Sequence, residues 1–287
     1  MNNKYLVSRR AAVKSSVFGV LAVSIPNIIF GRKIGGLEKY QKDGPAVFHR
    51  YPSIDDVIVA EVVGVSHFNL PRLKELVDKR PELSRATWDW AFGDWETALG
   101  AASHVGRRDI AQYLMSKGAR PDIFTFAMLG EHDVVKSMIE AQQGIQSIAG
   151  PHGISLLQHA KNGLEAEGIS TNQKKKSAGL ISYLEGLGNA DLREKYMEME
   201  ELEKSKYVGD YRYGEGPADG FTVKINSRKM VTLGKLGKNG GPLNKKSENV
   251  FAYQGIKSVE ITFTVENNTV IALTIHEPDL TLTAKKI

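Results

Sequence analysis

The sequence predicts an α+β protein of several domains, in which a stack of paired short helices is followed by a small antiparallel β-barrel or curved sheet. Two patterns carry this prediction. Between residues 55 and 189, apolar residues recur with the period of amphipathic helices. From Tyr207 onward they alternate with polar residues, as in half-buried strands.

The first 31 residues predict an export signal. A basic segment precedes a moderately apolar stretch that contains small residues, which is the layout of a signal peptide. The segment resembles the twin-arginine (Tat) signal, and the matching residues are Ser8, Arg9, Arg10 and Lys14. Ala12 and Val13 stand where that family usually has Phe and Leu. The resemblance implies that the protein folds before export and is periplasmic or otherwise exported through the Tat route.

Whether this signal is removed stays open. The stretch Ala22-Val23-Ser24 offers a cleavage site, but a second apolar cluster follows at residues 25–30. The apolar run is shorter than the roughly 20 residues that span a bilayer, and Pro26 interrupts it. A membrane tether is therefore expected only if the signal is retained.

The net charge of the predicted exported part does not favour nucleic acid as a partner. The chain has 38 basic and 33 acidic residues, but four basic residues lie in the signal, which leaves 34 against 33. Because the exported part is nearly neutral, the net charge of +5 does not indicate a nucleic-acid surface.

Motifs for chemistry are missing from the sequence. It contains no cysteine, which excludes disulfides, thiol nucleophiles and cysteine zinc sites. The seven histidines are spread along the chain without a His-Glu-x-x-His motif, and neither a calcium loop nor a nucleotide-binding loop is found. The sequence therefore predicts a protein that is not an enzyme, with no catalytic residue, metal ligand or cofactor.

A linker at residues 32–54 leads into the helical region at 55–189. Helical periodicity is clear in four segments, whose apolar positions are Leu73, Leu76 and Val77; Ile110, Tyr113 and Leu114; Val134, Val135, Met138 and Ile139; and Leu180, Ile181 and Leu184. Each segment follows a break in the chain, so we expect helices in pairs.

The segment from Glu96 to Asp122 resembles an ankyrin repeat. Thr97-Ala98-Leu99 stands where the family has Thr-Pro-Leu, Ala101-Ala102 matches its paired alanines, and Gly106 matches its inter-helix glycine; the terminal match is Gly118, Ala119 and Asp122. Weaker copies occur at residues 129–135 and 155–160. The resemblance implies a stack of helical hairpins, since one pair cannot bury its apolar face alone. The spacing is irregular against a period of about 33 residues, so a generic helical bundle is the alternative.

All three tryptophans lie in one short segment before the best repeat. In an ankyrin frame this segment joins successive repeats, on the edge that the family uses for binding. Exposed aromatic side chains are typical interface anchors, whereas buried ones would cover the junction between repeats. The candidate partner-binding residues are Trp88, Trp90, Phe92 and Trp95.

The last two segments are a connector and a β-domain. Residues 190–206 are charge-rich, and we expect a helix at residues 197–206. In the β-domain at 207–287, alternation at residues 221–225, 259–265, 271–275 and 280–282, with turns at Asn267-Asn268 and Pro278-Asp279, predicts short antiparallel strands. The start Tyr207-Val208-Gly209-Asp210-Tyr211 resembles the β-domain appended to serine β-lactamase-like hydrolases, whose Ser-x-x-Lys motif is missing here.

Two functions follow from the sequence. The first is a non-catalytic exported module that binds a protein partner, such as an exported enzyme, through the ankyrin-like repeats. The alternative is a small-molecule-binding accessory subunit or an enzyme. Its pocket would lie inside the β-domain or at the junction with the repeats, with Tyr211, Tyr213 and Tyr253 as candidate lining residues.

Overall fold

The computed structural model describes residues 48–192 and 194–287, which form a helical region followed by a closed β-barrel. The predicted α+β class with a C-terminal antiparallel barrel is confirmed. The predicted targeting residues Ser8, Arg9, Arg10 and Lys14 lie outside the described residues, as does most of the predicted linker.

The helical region consists of consecutive helical hairpins. Their bounds are α1 (Asp56–Val65) with α2 (Leu70–Lys79), α3 (Ala98–His104) with α4 (Arg108–Ser116), α5 (Ile123–Leu129) with α6 (His132–Ala141), and α7 (Leu156–Leu164) with α8 (Thr171–Leu187). Side chains at the N-caps fix several starts, because Thr97, Asp122 and Ser155 each accept a hydrogen bond from the backbone three residues on. Gly106 and Gly130 adopt positive φ angles of 77° and 73° where the chain reverses between paired helices.

The first helices of successive hairpins contact one another in the order α1, α3, α5, α7. Small residues allow this approach: a Cβ on Gly163 of α7 would lie 1.8 Å from the carbonyl oxygen of Met128 in α5. The buried guanidinium of Arg108 connects three hairpins, because it donates to the carbonyls of Gly163 and Leu129 and to Ser177 Oγ at 3.0, 3.0 and 3.1 Å.

Most of the predicted helical positions face the core. Leu73, Val77, Ile110, Leu114, Val135, Ile139, Leu180 and Leu184 are all buried. Val134 does not follow the pattern and is 39 % exposed, since it lies next to Val135 on the outer side of α6.

The tryptophan segment forms a β-hairpin between α2 and α3. Its strands are β1 (Thr87–Asp89) and β2 (Trp95–Thr97), and they pair antiparallel with Trp88 opposite Glu96. We refer to residues 87–97 as the finger hairpin. The tryptophan segment therefore joins the first helical hairpin to the second.

The barrel contains eight antiparallel strands: β3 (Gly209–Arg212), β4 (Gly220–Ile225), β5 (Val231–Lys235), β6 (Gly241–Ser247), β7 (Val250–Tyr253), β8 (Ile256–Glu266), β9 (Thr269–Glu277) and β10 (Leu280–Lys286). Each strand pairs with its neighbours in sequence, and β10 closes the barrel against β3. The turn predicted at Asn267 and Asn268 joins β8 to β9, and both residues have positive φ.

Alternation in the strands directs side chains into an apolar barrel core. Val259, Ile261 and Phe263 of β8 are buried, whereas Val265 near the strand end is 39 % exposed. Tyr211 and Tyr253, which the pocket hypothesis named, are buried in this core, and Tyr213 packs against it.

The connector helix is shorter than predicted. It is α9 (Glu201–Tyr207), not residues 197–206. Met197 instead forms a β-bridge with Lys245, in which its N–H donates to the Lys245 carbonyl at 2.8 Å. The helix ends where Tyr207 inserts its ring into the barrel core. Within residues 48–192 and 194–287, none of the helices has the length and apolar character needed to cross a membrane.

Candidate metal centre

Four titratable side chains converge where the finger hairpin meets the helical hairpins. They are His67, Glu96, His104 and His152, and each offers one ligand atom within 4.8 Å of the others. They come from four places in the chain: the turn after α1, strand β2, the last residue of α3, and the turn at Pro151–Gly153. We call these four residues the His/Glu centre.

Glu96 lies at the middle of the centre. The alternation of β2 exposes Trp95 and Thr97 and turns Glu96 inward, where its side chain is fully buried. Its Oε1 lies 3.0 Å from His104 Nε2 and 3.4 Å from His152 Nε2, and its Oε2 lies 3.4 Å from His67 Nε2. Ligand atoms around a tetrahedral metal with bonds of ~2.1 Å are about 3.4 Å apart. The distances from Glu96 to the three histidines are therefore close to those between ligands of a single metal ion.

Outer partners fix the orientation of three of these side chains. Gly64 O lies 3.0 Å from His67 Nδ1, and Asp94 Oδ2 lies 2.7 Å from His152 Nδ1. Trp90 Nε1 donates to Glu96 Oε2 at 2.7 Å. The partners of the two rings bind Nδ1 and leave Nε2 facing Glu96. Trp90 binds the carboxylate oxygen that also faces His67, and it leaves Oε1 free of its own hydrogen bond. Such outer carbonyl and carboxylate partners are characteristic of histidines that bind metals.

Two of the inward atoms have no hydrogen-bond partner. They are Glu96 Oε1 and His104 Nε2, which lie within ion-pair distance of each other at 3.0 Å and make no other hydrogen bond. Buried polar atoms in proteins are almost always satisfied, so an unsatisfied pair of buried ligand atoms needs an explanation. A metal ion bound by both atoms would supply one.

Burial and neighbouring charges shift the pKa values of three residues at the centre. Burial disfavours the ionised form of Glu96, but His104, His152 and His67 beside it outweigh this effect and hold its pKa well below the usual range. Burial also lowers the pKa of His67. For His152, burial acts downward, but Asp94 and Glu96 outweigh it and raise the pKa to about 10. The carboxylate is therefore ionised and available as a ligand at neutral pH.

The four side chains differ in exposure. The side chains of His67 and His152 are 22 % and 20 % exposed, that of His104 is 10 % exposed, and that of Glu96 is fully buried. The three imidazoles and one carboxylate are nitrogen and oxygen ligands suited to zinc and other first-row divalent metals.

No protein-family model, curated protein or solved structure matches this chain. What the chain does has to be inferred from its own residues.

The structure separates the four partner-binding candidates. Trp95 is 62 % exposed. Trp88 and Trp90 are half-buried against the apolar core of the first two helical hairpins. Phe92 packs against Tyr253 of the barrel, with ring centroids 4.9 Å apart. The ring nitrogen of Trp90 donates to Glu96 and so forms a side-chain hydrogen bond to the His/Glu centre.

Sequence reasoning did not find the centre, and it predicted no metal ligand. It treated the histidines as scattered, whereas the fold brings three of them together. The strongest signal available was Asp94-Trp95-Glu96, two carboxylates that alternate with a tryptophan in a predicted joining element. His152 in Pro-His-Gly was the second, because a histidine in a tight turn is fixed in place.

Proposed function

We propose that this protein binds one divalent transition-metal ion at the His/Glu centre, with His67, Glu96, His104 and His152 as ligands. The observation that carries the proposal is the pair of buried, unpartnered ligand atoms on Glu96 and His104. The outer partners of Glu96, His67 and His152 support it, since they hold these ligands in position before the metal arrives.

The alternative occupant of the centre is a proton. A protonated His152 would balance the charge of Glu96 in a buried hydrogen-bonded cluster, and the raised pKa of His152 is compatible with this state. The two readings differ in one measurable way: only the first predicts stoichiometric zinc binding at low metal concentration.

Equilibrium dialysis of the purified chain against Zn²⁺ at pH 7.5 tests the proposal. We expect one zinc ion per chain. Glu96→Gln keeps an acceptor for Trp90 but removes the charge, and His104→Gln removes an inward ligand atom. Both should weaken binding by at least the ~10–100-fold that loss of an outer partner costs in metal sites.

His132→Gln is the matched control. His132 lies outside the centre, where its Nδ1 contacts the exposed Asp133. Its replacement should leave zinc binding unchanged. If the wild type retains no zinc after dialysis, the centre is not a metal site. The same conclusion follows if Glu96→Gln binds zinc with the affinity of the wild type.

Protein binding is a second function, favoured by the exposure of Trp95 on the finger hairpin. In this proposal the four helical hairpins are an ankyrin-like stack, supported by the contacts among first helices and by Gly106 and Gly130 between helices. The sequence adds the proposal of export through the Tat route, with an exported protein as the partner. Capture from cross-linked envelope extract should lose a stoichiometric partner in Trp95→Ala.

Because Trp95 is exposed, Trp95→Ala should change the free energy of unfolding by less than about 0.5 kcal/mol. If Trp95→Ala loses the partner but also lowers the free energy of unfolding by much more than this, Trp95 stabilises the fold and is not an interface residue.

A further inference from the structure

Asp94 joins the His/Glu centre to the barrel. Its carboxylate is 3 % exposed and accepts three hydrogen bonds. Two come from His152, whose backbone N–H and ring Nδ1 lie 3.0 and 2.7 Å from the two carboxylate oxygens. The third comes from the side-chain amide of Gln254, which belongs to the barrel.

These bonds fix the ring of His152 from its outer side. With Nδ1 bonded to Asp94, the other ring nitrogen, Nε2, points toward Glu96 Oε1 at 3.4 Å. His152 also has a positive φ of 59°, a conformation that needs support from its surroundings. Asp94 supplies that support, because it binds both the backbone and the ring of the same residue.

Gln254 is held by the barrel at a place where the barrel touches the helical region. It lies between β7 and β8, next to Tyr253, whose ring packs on Phe92 of the finger hairpin. On its other side, Gly255 approaches the His152 turn so closely that a Cβ there would lie 2.5 Å from the Cα of Gly153. The same barrel turn thus contacts both elements that supply Glu96 and His152.

We infer that the barrel is part of the metal site, with Asp94 and Gln254 as positioning residues that hold His152 ready to bind the metal. The inference rests on the proposed function. It also has a reciprocal consequence: if the barrel turn strengthens metal binding, metal binding must strengthen the contact between the barrel turn and the helical region.

Zinc and cobalt binding by the full chain and its variants tests this inference. Gln254→Ala should weaken zinc binding about 10-fold, at the lower end of outer-partner effects. Gln254→Glu preserves the shape but places a second carboxylate beside Asp94, so it should weaken zinc binding more than Gln254→Ala. Asp94→Asn should weaken it ~10–100-fold. Gln143→Ala, an exposed glutamine outside the centre, is the control and should bind zinc as the wild type does.

The visible absorption of bound Co²⁺ distinguishes positioning from general stability. A positioning role predicts that the Co²⁺ spectrum of Gln254→Ala differs from that of the wild type and of Gln143→Ala, because the geometry at His152 changes. Hydrogen exchange supplies a readout that needs no variant. Zinc should slow exchange of the amides at residues 252–256 in the wild type.

Failure of this inference is separable from failure of the proposed function. If the wild type binds zinc but Gln254→Ala has the same affinity and the same cobalt spectrum, and zinc leaves exchange at residues 252–256 unchanged, the barrel has no part in the site. A wild-type chain that binds no zinc overturns both the proposed function and this inference.

Discussion

The helical region and the barrel bury different kinds of side chain. Among the described residues, most buried polar side chains lie in the helical region, whereas the barrel has Thr232 and Lys245. Those of the helical region include Arg108, His159, Glu96 and His104. The barrel core is built from aromatic and aliphatic residues. Its buried tyrosines are satisfied, since Tyr211 donates to the Tyr207 carbonyl at 2.6 Å and Tyr253 accepts from Gly241 N at 2.9 Å. At the centre, by contrast, Glu96 Oε1 and His104 Nε2 have no hydrogen-bond partner.

This difference indicates where each region contributes. A core in which rings pack closely and polar atoms are hydrogen-bonded stabilises the fold. A buried cluster with unsatisfied ligand atoms is costly unless something binds there. We therefore assign structural support to the barrel and binding to the helical region, with the turn at Gln254 as their connection.

The largest expected effect concerns close packing in the helical region. Gly163→Ala places a Cβ 1.8 Å from the Met128 carbonyl oxygen, a contact with backbone that the two helices relieve only by moving apart. We expect a loss of about 3 kcal/mol or more in the free energy of unfolding, at the upper end of overpacking effects. Urea titration followed by circular dichroism measures it.

Gly179→Ala is the matched control. Gly179 is also a helical glycine, but a Cβ there meets nothing within 4 Å. Alanine should stabilise α8 by about 0.5–1 kcal/mol. Equal effects of the two substitutions would contradict the close approach of α5 and α7.

These helices also show what the sequence could predict. Small residues and apolar periodicity are local signals, so the helical pairs and the alternating strands could be predicted from residues near one another. The centre could not, because its ligands come from separate elements between residues 67 and 152 and meet only after the hairpins stack. The start of α9 was missed for a similar reason, since a long-range bridge to Lys245 holds Met197 out of the helix.

A second effect depends on pH and on the fully buried His159. Its Nδ1 donates to the Ser155 carbonyl at 2.8 Å, while its Nε2 has no partner. Burial lowers its pKa to about 4 from an ordinary value of 6.5. Between these values the unfolded chain takes up a proton that the folded chain does not, so stability falls as pH falls from about 6.5 to about 4. The loss is about 3 kcal/mol over this range.

His159→Leu removes this titration and leaves the Ser155 carbonyl bonded to the backbone N–H of residue 159. The free energy of unfolding, measured in chelator between pH 7 and 4, should therefore fall less steeply for the variant than for the wild type. Parallel curves would show that His159 titrates normally in the folded protein.

The smallest effect is expected in the barrel. Tyr211→Phe removes the hydroxyl that donates to the Tyr207 carbonyl and retains the packed ring. One buried hydrogen bond contributes about 1 kcal/mol, so we expect a loss of that size with no change in zinc affinity. A large fall in zinc affinity would show that the barrel interior, and not only the turn at Gln254, contributes to the metal site.

Anomalous diffraction at the zinc edge, from crystals grown with zinc, tests the central claim most directly. The account predicts one peak within about 2.0–2.2 Å of the Nε2 atoms of His67, His104 and His152 and of a Glu96 carboxylate oxygen. Crystals with no peak at these four residues, or with zinc bound only at other side chains, would contradict it.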